Sequence, residues 1–419
     1  MSRSRHHLFL ALTRAGWGET ALGLRVAQQL QQAGDEPVFL VHETAAPLFV
    51  GGSIRYETYP MSIGPLLEFL IEDHVSTLRP DSIILSDFQM TVDNMRLLSL
   101  DARMLTRFGI PLVAMDTWCF AESGPAIDIF VGKTKPNSSW IEELPYRLAP
   151  VPFIRPKGVA GACSLLPEPI KLTRRVREHI RDGLGLSGTN KAVLLCTANW
   201  QQAAYNDDNG QRIADAVPQL IGQYLQSLGS SVHLIHVGPS ALPVRNVLGD
   251  RYHWMPSLSA ERFSLILGAV DLLLSLNVSA STMATAIVSG LPLLVVQNSC
   301  AALDRDSVLG WLPRPPSPRL LEWIANVVPL YPFSMWPLGF YHYLAPVLRN
   351  NDYCTAFETV ELLDEDALLA ACDRLLFDRD GAAAALSQRQ ADYVRTVAAL
   401  PSAAQCVHSY LEGLPCDPP

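Results

Sequence analysis

Residues 7–41 decide the fold. They read His7-Leu8-Phe9-Leu10-Ala11-Leu12, the turn Thr13-Arg14-Ala15-Gly16-Trp17-Gly18-Glu19-Thr20, the segment Ala21 to Gln32, Gly34, and then Pro37-Val38-Phe39-Leu40-Val41. The two flanking runs are continuously apolar, as strands buried on both faces are. Between them Leu22, Val26, Leu30 and Ala33 recur at helical spacing, and Gly34 marks the stop. Strand, glycine-containing turn, helix and strand make a βαβ unit, whose crossover requires parallel strands.

The alternation continues outward. A helix over residues 63–78 precedes the apolar strand Ser82 to Ser86. A further helix runs to Phe108, and the strand Leu112 to Met115 ends at Asp116. This is a doubly wound half. From Ser123 to Gly161 the pattern breaks at Pro125, Pro136, Pro145, Pro150, Pro152 and Pro156, which reads as a crossing between domains. A second alternation then starts at Lys191, with strands at residues 192–196, 232–237, 252–254, 272–276 and 291–296. The expectation is an α/β protein with two Rossmann-like, doubly wound parallel-sheet domains facing across a cleft. The boundaries are 1–165 and 166–385, with 386–419 as a C-terminal segment packing back on the first domain. Asp364 to Phe377 and Ala382 to Leu411 read as two amphipathic helices.

Composition narrows the function. The 419 residues are 49% hydrophobic and 17% charged, which excludes disorder as the main state. With 32 basic and 41 acidic residues the net charge is −9, and no basic field suits nucleic acid. Eight cysteines are scattered without a Cys-x-x-Cys pair, so a zinc site or disulfide framework is not expected. They read as reduced thiols of a cytoplasmic protein. Trp323 to Leu348 carries no Asp, Glu, Lys or Arg, but Pro329, Pro332, Pro337 and Pro346 break any spanning helix.

In open parallel sheets ligands bind beyond the carboxyl ends of strands, and a helix start favours an anion. The turn Gly16 to Thr20 has this character, and so does Leu276-Asn277-Val278-Ser279-Ala280-Ser281-Thr282. Around the second, the order Trp254-Met255-Pro256, Leu267 to Ser275, Ser281-Thr282 and Ser289 to Val296 resembles the donor half of GT-B glycosyltransferases. The resemblance implies a nucleotide-sugar co-substrate, a diphosphate at the helix start matching Ser279 to Thr282, and no metal or other cofactor. The family's ribose-gripping Glu falls on Thr285, its phosphate-contacting His on Asn277 and its glycine on Ser279; all three differ here.

The first domain is similar to the family's acceptor side, which implies a catalytic base near the glycine turn. Glu19 is the first candidate and Asp116 the second, because deprotonating a hydroxyl needs a carboxylate in reach. The candidate donor and phosphate groups are Gly16, Gly18, Asn199, His236, Gly238, Met255, Asn277, Ser279, Ser281 and Thr282. Trp17, Asp87, Trp118 and Trp336 are candidates for the acceptor pocket. The strand ends at residues 197–201 and 236–240 lack the Arg and Lys pair of retaining members, which implies inversion. The expected acceptor is a small molecule or peptide. The aromatic segment 311–343 is either a core insertion or a homodimer surface. Two other functions share the pattern: a nucleotide-sugar epimerase of the same fold, or a degenerate member acting as a binding partner.

Overall fold

The structure, a computed structural model, describes residues 3–13, 17–123, 126–129, 133–151, 153, 155, 157–186, 188–202, 208–414 and 416. Nine strands lie in its first part: β1 (His6–Ala11), β2 (Glu36–His42), β3 (Arg55–Tyr59), β4 (Ser82–Leu85), β5 (Leu112–Met115), β6 (Ala126–Ile129), β7 (Lys133–Pro136), β8 (Tyr146–Val151) and β9 (Ala162–Ser164). Seven of them form one sheet in the order β3-β2-β1-β4-β5-β8-β9, with every pairing parallel. The helix α1 (Trp17–Gln32) carries the chain from β1 to β2, and α2 (Phe88–Leu97) follows β4. Gly23 lets α1 lie close on the sheet, for a Cβ there would stand 2.5 Å from Ser86 Oγ.

The second part holds β10 (Lys191–Cys196), β11 (Val232–Val237), β12 (Tyr252–Met255), β13 (Leu272–Ser275), β14 (Leu293–Gln297), β15 (Phe333–Met335), β16 (Gly339–Phe340) and β17 (Glu358–Glu361). A second all-parallel sheet has the order β12-β11-β10-β13-β14-β17. In both sheets the order reverses beside the first strand of the half, the crevice where open α/β sheets bind ligands. Among the described residues no helix is long and apolar enough to cross a membrane.

A small antiparallel sheet, β15-β16-β6-β7, ties the halves together. The proline-broken region 123–161 therefore contributes strands to two sheets. Asp128 on β6 accepts the amides of His342 and Tyr343, at 3.1 and 2.8 Å. The aromatic segment is largely spent inside the chain: Trp323, Tyr331, Phe333, Trp336 and Tyr343 are buried, so these rings offer no dimer surface. Stretches read as one spanning candidate are a helix, two short strands and another helix.

The C-terminal region differs from the expected single helix over 382–411. Two helices, α4 (Ala384–Ala398) and α5 (Ala403–Leu411), are separated at Pro401, with Ser402 and Gln405 forming a capping box. The first packs on the second half, Gln390 donating to the carbonyls of Leu291 and Ala356. The second crosses to the first: the Tyr410 ring stacks on Tyr146 at 5.1 Å, and the Ala403 amide donates to Gln29. Cys406 and Cys416 form a disulfide, which corrects the reading of all eight cysteines as reduced thiols; the other six are free.

Candidate functional site

A cleft of about 610 Å³, including the part open to solvent, lies between the two halves. From the first it is lined by Gly18, Glu19, Leu22 and Arg25 of α1, by Thr117 and Trp118 after β5, and by Pro150 and Phe153. From the second come Ser279, Ala280, Ser281, Ala284 and Tyr353. The two turns singled out in the sequence thus face one space, although Gly16 lies outside the described residues. No neighbouring atom lies within 4 Å of where a Cβ on Gly18 would stand, so the backbone there is open to an approaching group.

The helix after β13, α3 (Ser281–Val288), forms one side of the mouth. Asn277 Oδ1 accepts from the amide and the hydroxyl of Ser279, both at 2.9 Å, and so shapes the turn. Ala280 occupies the cap position and offers no side-chain oxygen. Helices beginning after Asp87, Thr173, Ser259, Ser317 and Asp364 each have such a cap. The first turn of α3 therefore borders the cleft with no side-chain cap on its amides, and the helix dipole there favours an anion.

Glu19 stands in the first turn of α1. Burial and then the charge of Asp87 lift its carboxyl to about 7. Asp87 is itself raised to about 6 by burial, but it is committed to structure: it caps α2 at the Met90 amide, 2.7 Å away, and accepts from the Thr117 hydroxyl. Asp116 is likewise raised to about 6 by burial and accepts the Phe120 and Ala121 amides at 2.6 and 3.3 Å. Both aspartates hold loops at strand ends and neither lines the cleft, which leaves Glu19 as the carboxylate facing it.

Several candidates lie elsewhere. His236 is fully buried, hydrogen-bonded to Thr197 Oγ1 at 2.8 Å and the Tyr252 hydroxyl at 2.7 Å, and burial lowers it to about 4, so it is a neutral core residue. Gly238 is required beside it, because a Cβ would meet Thr197 Oγ1 at 2.1 Å. Trp336 is fully buried and donates to the Ile213 carbonyl, which removes it from any acceptor pocket. Asn199 is exposed, and Trp17, Met255 and Thr282 are half-buried; none of the four lines the cleft. Trp118 does, packed between Phe340 at 5.6 Å and Phe153 at 6.1 Å.

Arg25 escaped the sequence reading. It shares the cleft-facing side of α1 with Gly18 and Leu22, at spacings of four and three, and its Nη1 is buried with no hydrogen-bond partner among the described residues. Burial depresses its pKa, and no carboxylate draws it back. Its signal was an arginine on the i, i+4, i+7 face of a helix otherwise packed on a sheet. Three Asp-x-Asp triplets, at 304–306, 364–366 and 378–380, stay out of the cleft, and the first aspartate of each caps a helix.

Two doubly wound domains meeting at such a cleft define the GT-B fold. The chain is similar over 98% of its length to all of the Anabaena protein Alr3699/HepE solved with UDP and glucose (TM-score 0.56, 11% identity). It is also similar over 98% of each chain to a glycosyltransferase from Rickettsia africae (TM-score 0.51, 11% identity). A protein from Listeria monocytogenes assigned as a UDP-N-acetylglucosamine 2-epimerase aligns over 100% of this chain and 99% of its own (TM-score 0.51, 11% identity). The chain belongs to the family DUF6365, described as of unknown function, whose pattern matches residues 26–413. No curated protein matches it in sequence.

Proposed function

We propose that the protein is a glycosyltransferase that moves a sugar from a nucleotide-sugar to a hydroxyl of a small-molecule or peptide acceptor, with inversion and without a metal. The observation that carries this is the meeting of Glu19 and the uncapped start of α3 on one cleft. The ionised Glu19 takes the proton of the acceptor hydroxyl, whose oxygen bonds to the anomeric carbon. The bond from that carbon to the diphosphate oxygen breaks, and its electron pair leaves with the diphosphate. Charge developing there is received by the first amides of α3, by the Ser281 hydroxyl, and by Arg25. A base on one wall and an anion site on the other suit attack opposite the leaving group. A carboxyl near 7 is half ionised at neutral pH, the condition for a general base.

Trp118 and Phe153 offer apolar faces to the acceptor. The similarity to a protein holding UDP and glucose supports a uridine diphosphate sugar as the first donor to try. The requirement for such a donor favours a cytoplasmic setting. The test is turnover of UDP-sugars against an acceptor panel with Glu19→Gln as control: transfer is lost in the variant while UDP binding, read by calorimetry, persists. Epimerised donor formed without any acceptor would replace this reading with the epimerase, and no UDP or UDP-sugar binding would end both.

A further inference from the structure

At the opposite ends of the strands from the cleft, His7 at the start of β1, Asp35 in the turn before β2 and His408 on α5 come together. Asp35 Oδ2 lies 3.2 Å from His7 Nε2 and 2.5 Å from His408 Nε2, and the three ligand atoms lie within 4.8 Å of one another. We propose that these residues form a binding site for a zinc-class divalent cation that clamps the last helix to the first sheet.

Two imidazoles and one carboxylate suit zinc and its neighbours far better than magnesium or calcium. Ligand atoms around a tetrahedral zinc with bonds of about 2.0–2.1 Å stand about 3.3 Å apart. The His7 to Asp35 separation already has this value. The His408 to Asp35 pair must open by about 0.8 Å, within reach of a half-buried side chain on a surface helix. Each buried ligand is also oriented from behind: His7 Nδ1 is hydrogen-bonded to Ser82 Oγ at 2.8 Å, and the Arg5 amide donates to Asp35 Oδ1 at 3.2 Å. Such outer partners fix the ring and carboxylate orientations a metal needs. Two imidazoles and one carboxylate supply three ligands, and water completes the coordination from the half-exposed side of His408. Cysteine and histidine spacing does not announce the site, because its members are 28 and 373 residues apart.

The experiment uses the full-length protein freed of metal with EDTA, equilibrated with Zn2+ and assayed for bound zinc and melting temperature. One equivalent of zinc is retained and the melting temperature rises by several degrees. Both effects vanish in His408→Gln and in Asp35→Asn, which can be compared with the wild type in EDTA to separate metal loss from misfolding. Absence of stoichiometric zinc in the wild type, or equal retention by both variants, overturns the site and leaves a hydrogen-bonded His-Asp-His link. UDP binding at the remote cleft is read in parallel, so failure of this site and failure of the transferase reading are distinguishable.

Discussion

Asp87 and Glu19 are coupled: the buried charge of Asp87 adds to desolvation in lifting the Glu19 carboxyl to about 7. Because Glu19 acts as a base, kcat/KM for transfer should rise with pH through a midpoint near 7. Asp87→Asn keeps an oxygen for the Met90 amide but removes the charge. The midpoint should then move to lower pH, since a like charge disfavours ionisation. A pH–rate profile of both proteins checks this, and an unmoved midpoint would separate Glu19 from the titrating group.

The same shift has a consequence for stability. Below the unfolded carboxyl value of about 4.5, both states bind the proton. Between there and about 7 the folded state holds more protons than the unfolded, so stability falls as pH rises, and above 7 the penalty is complete. Glu19→Gln removes that penalty. The inactive variant should be more stable than the wild type at pH 8, by on the order of 1 kcal/mol given partial solvent screening, and equal to it near pH 4. Denaturant melts at the two pH values measure it.

Arg25 carries a cation into the cleft, and its buried Nη1 has no hydrogen-bond partner among the described residues. Arg25→Gln should weaken UDP binding about tenfold, or about 1.4 kcal/mol, while leaving the melting temperature unchanged or higher. Arg25→Lys should recover only part, because the ammonium lacks the forked donors that match a phosphate. Calorimetric titration with UDP decides between this and a merely structural arginine, whose loss would cost stability and leave affinity alone.

The buried strands were legible because parallel strands covered on both faces are continuous apolar runs, as Phe9 to Leu12 and Leu272 to Leu276 show. Arg55–Tyr59 and Glu358–Glu361 were not, since edge strands exposed along one side carry polar residues. The small bridging sheet pairs Ile129 with Gly339, and no local period reports a partner 210 positions away. At the site, chain position placed Glu19, Ser279 and Ser281 at strand ends, where ligands bind. It placed His236 and Asp116 there too, because a position at a strand end does not say whether its side chain turns to the cleft or to the core. Arg25 and Tyr353 enter the site only through the way the two domains face each other.

The start of α3 lends itself to a substitution that separates folding from function. Ala280 holds the cap position without a side-chain acceptor, and it lines the cleft. Ala280→Asp supplies the missing oxygen to the first-turn amides and a negative charge at the positive end of the helix. The helix should gain about 1 kcal/mol, seen as a higher melting temperature. The same carboxylate occupies the amides assigned to the diphosphate and repels its charge, so UDP affinity should fall by more than tenfold. Ala280→Ser caps as well but adds no charge, and should retain more of the affinity. If Ala280→Asp binds UDP as tightly as the wild type, the anion does not sit at this helix.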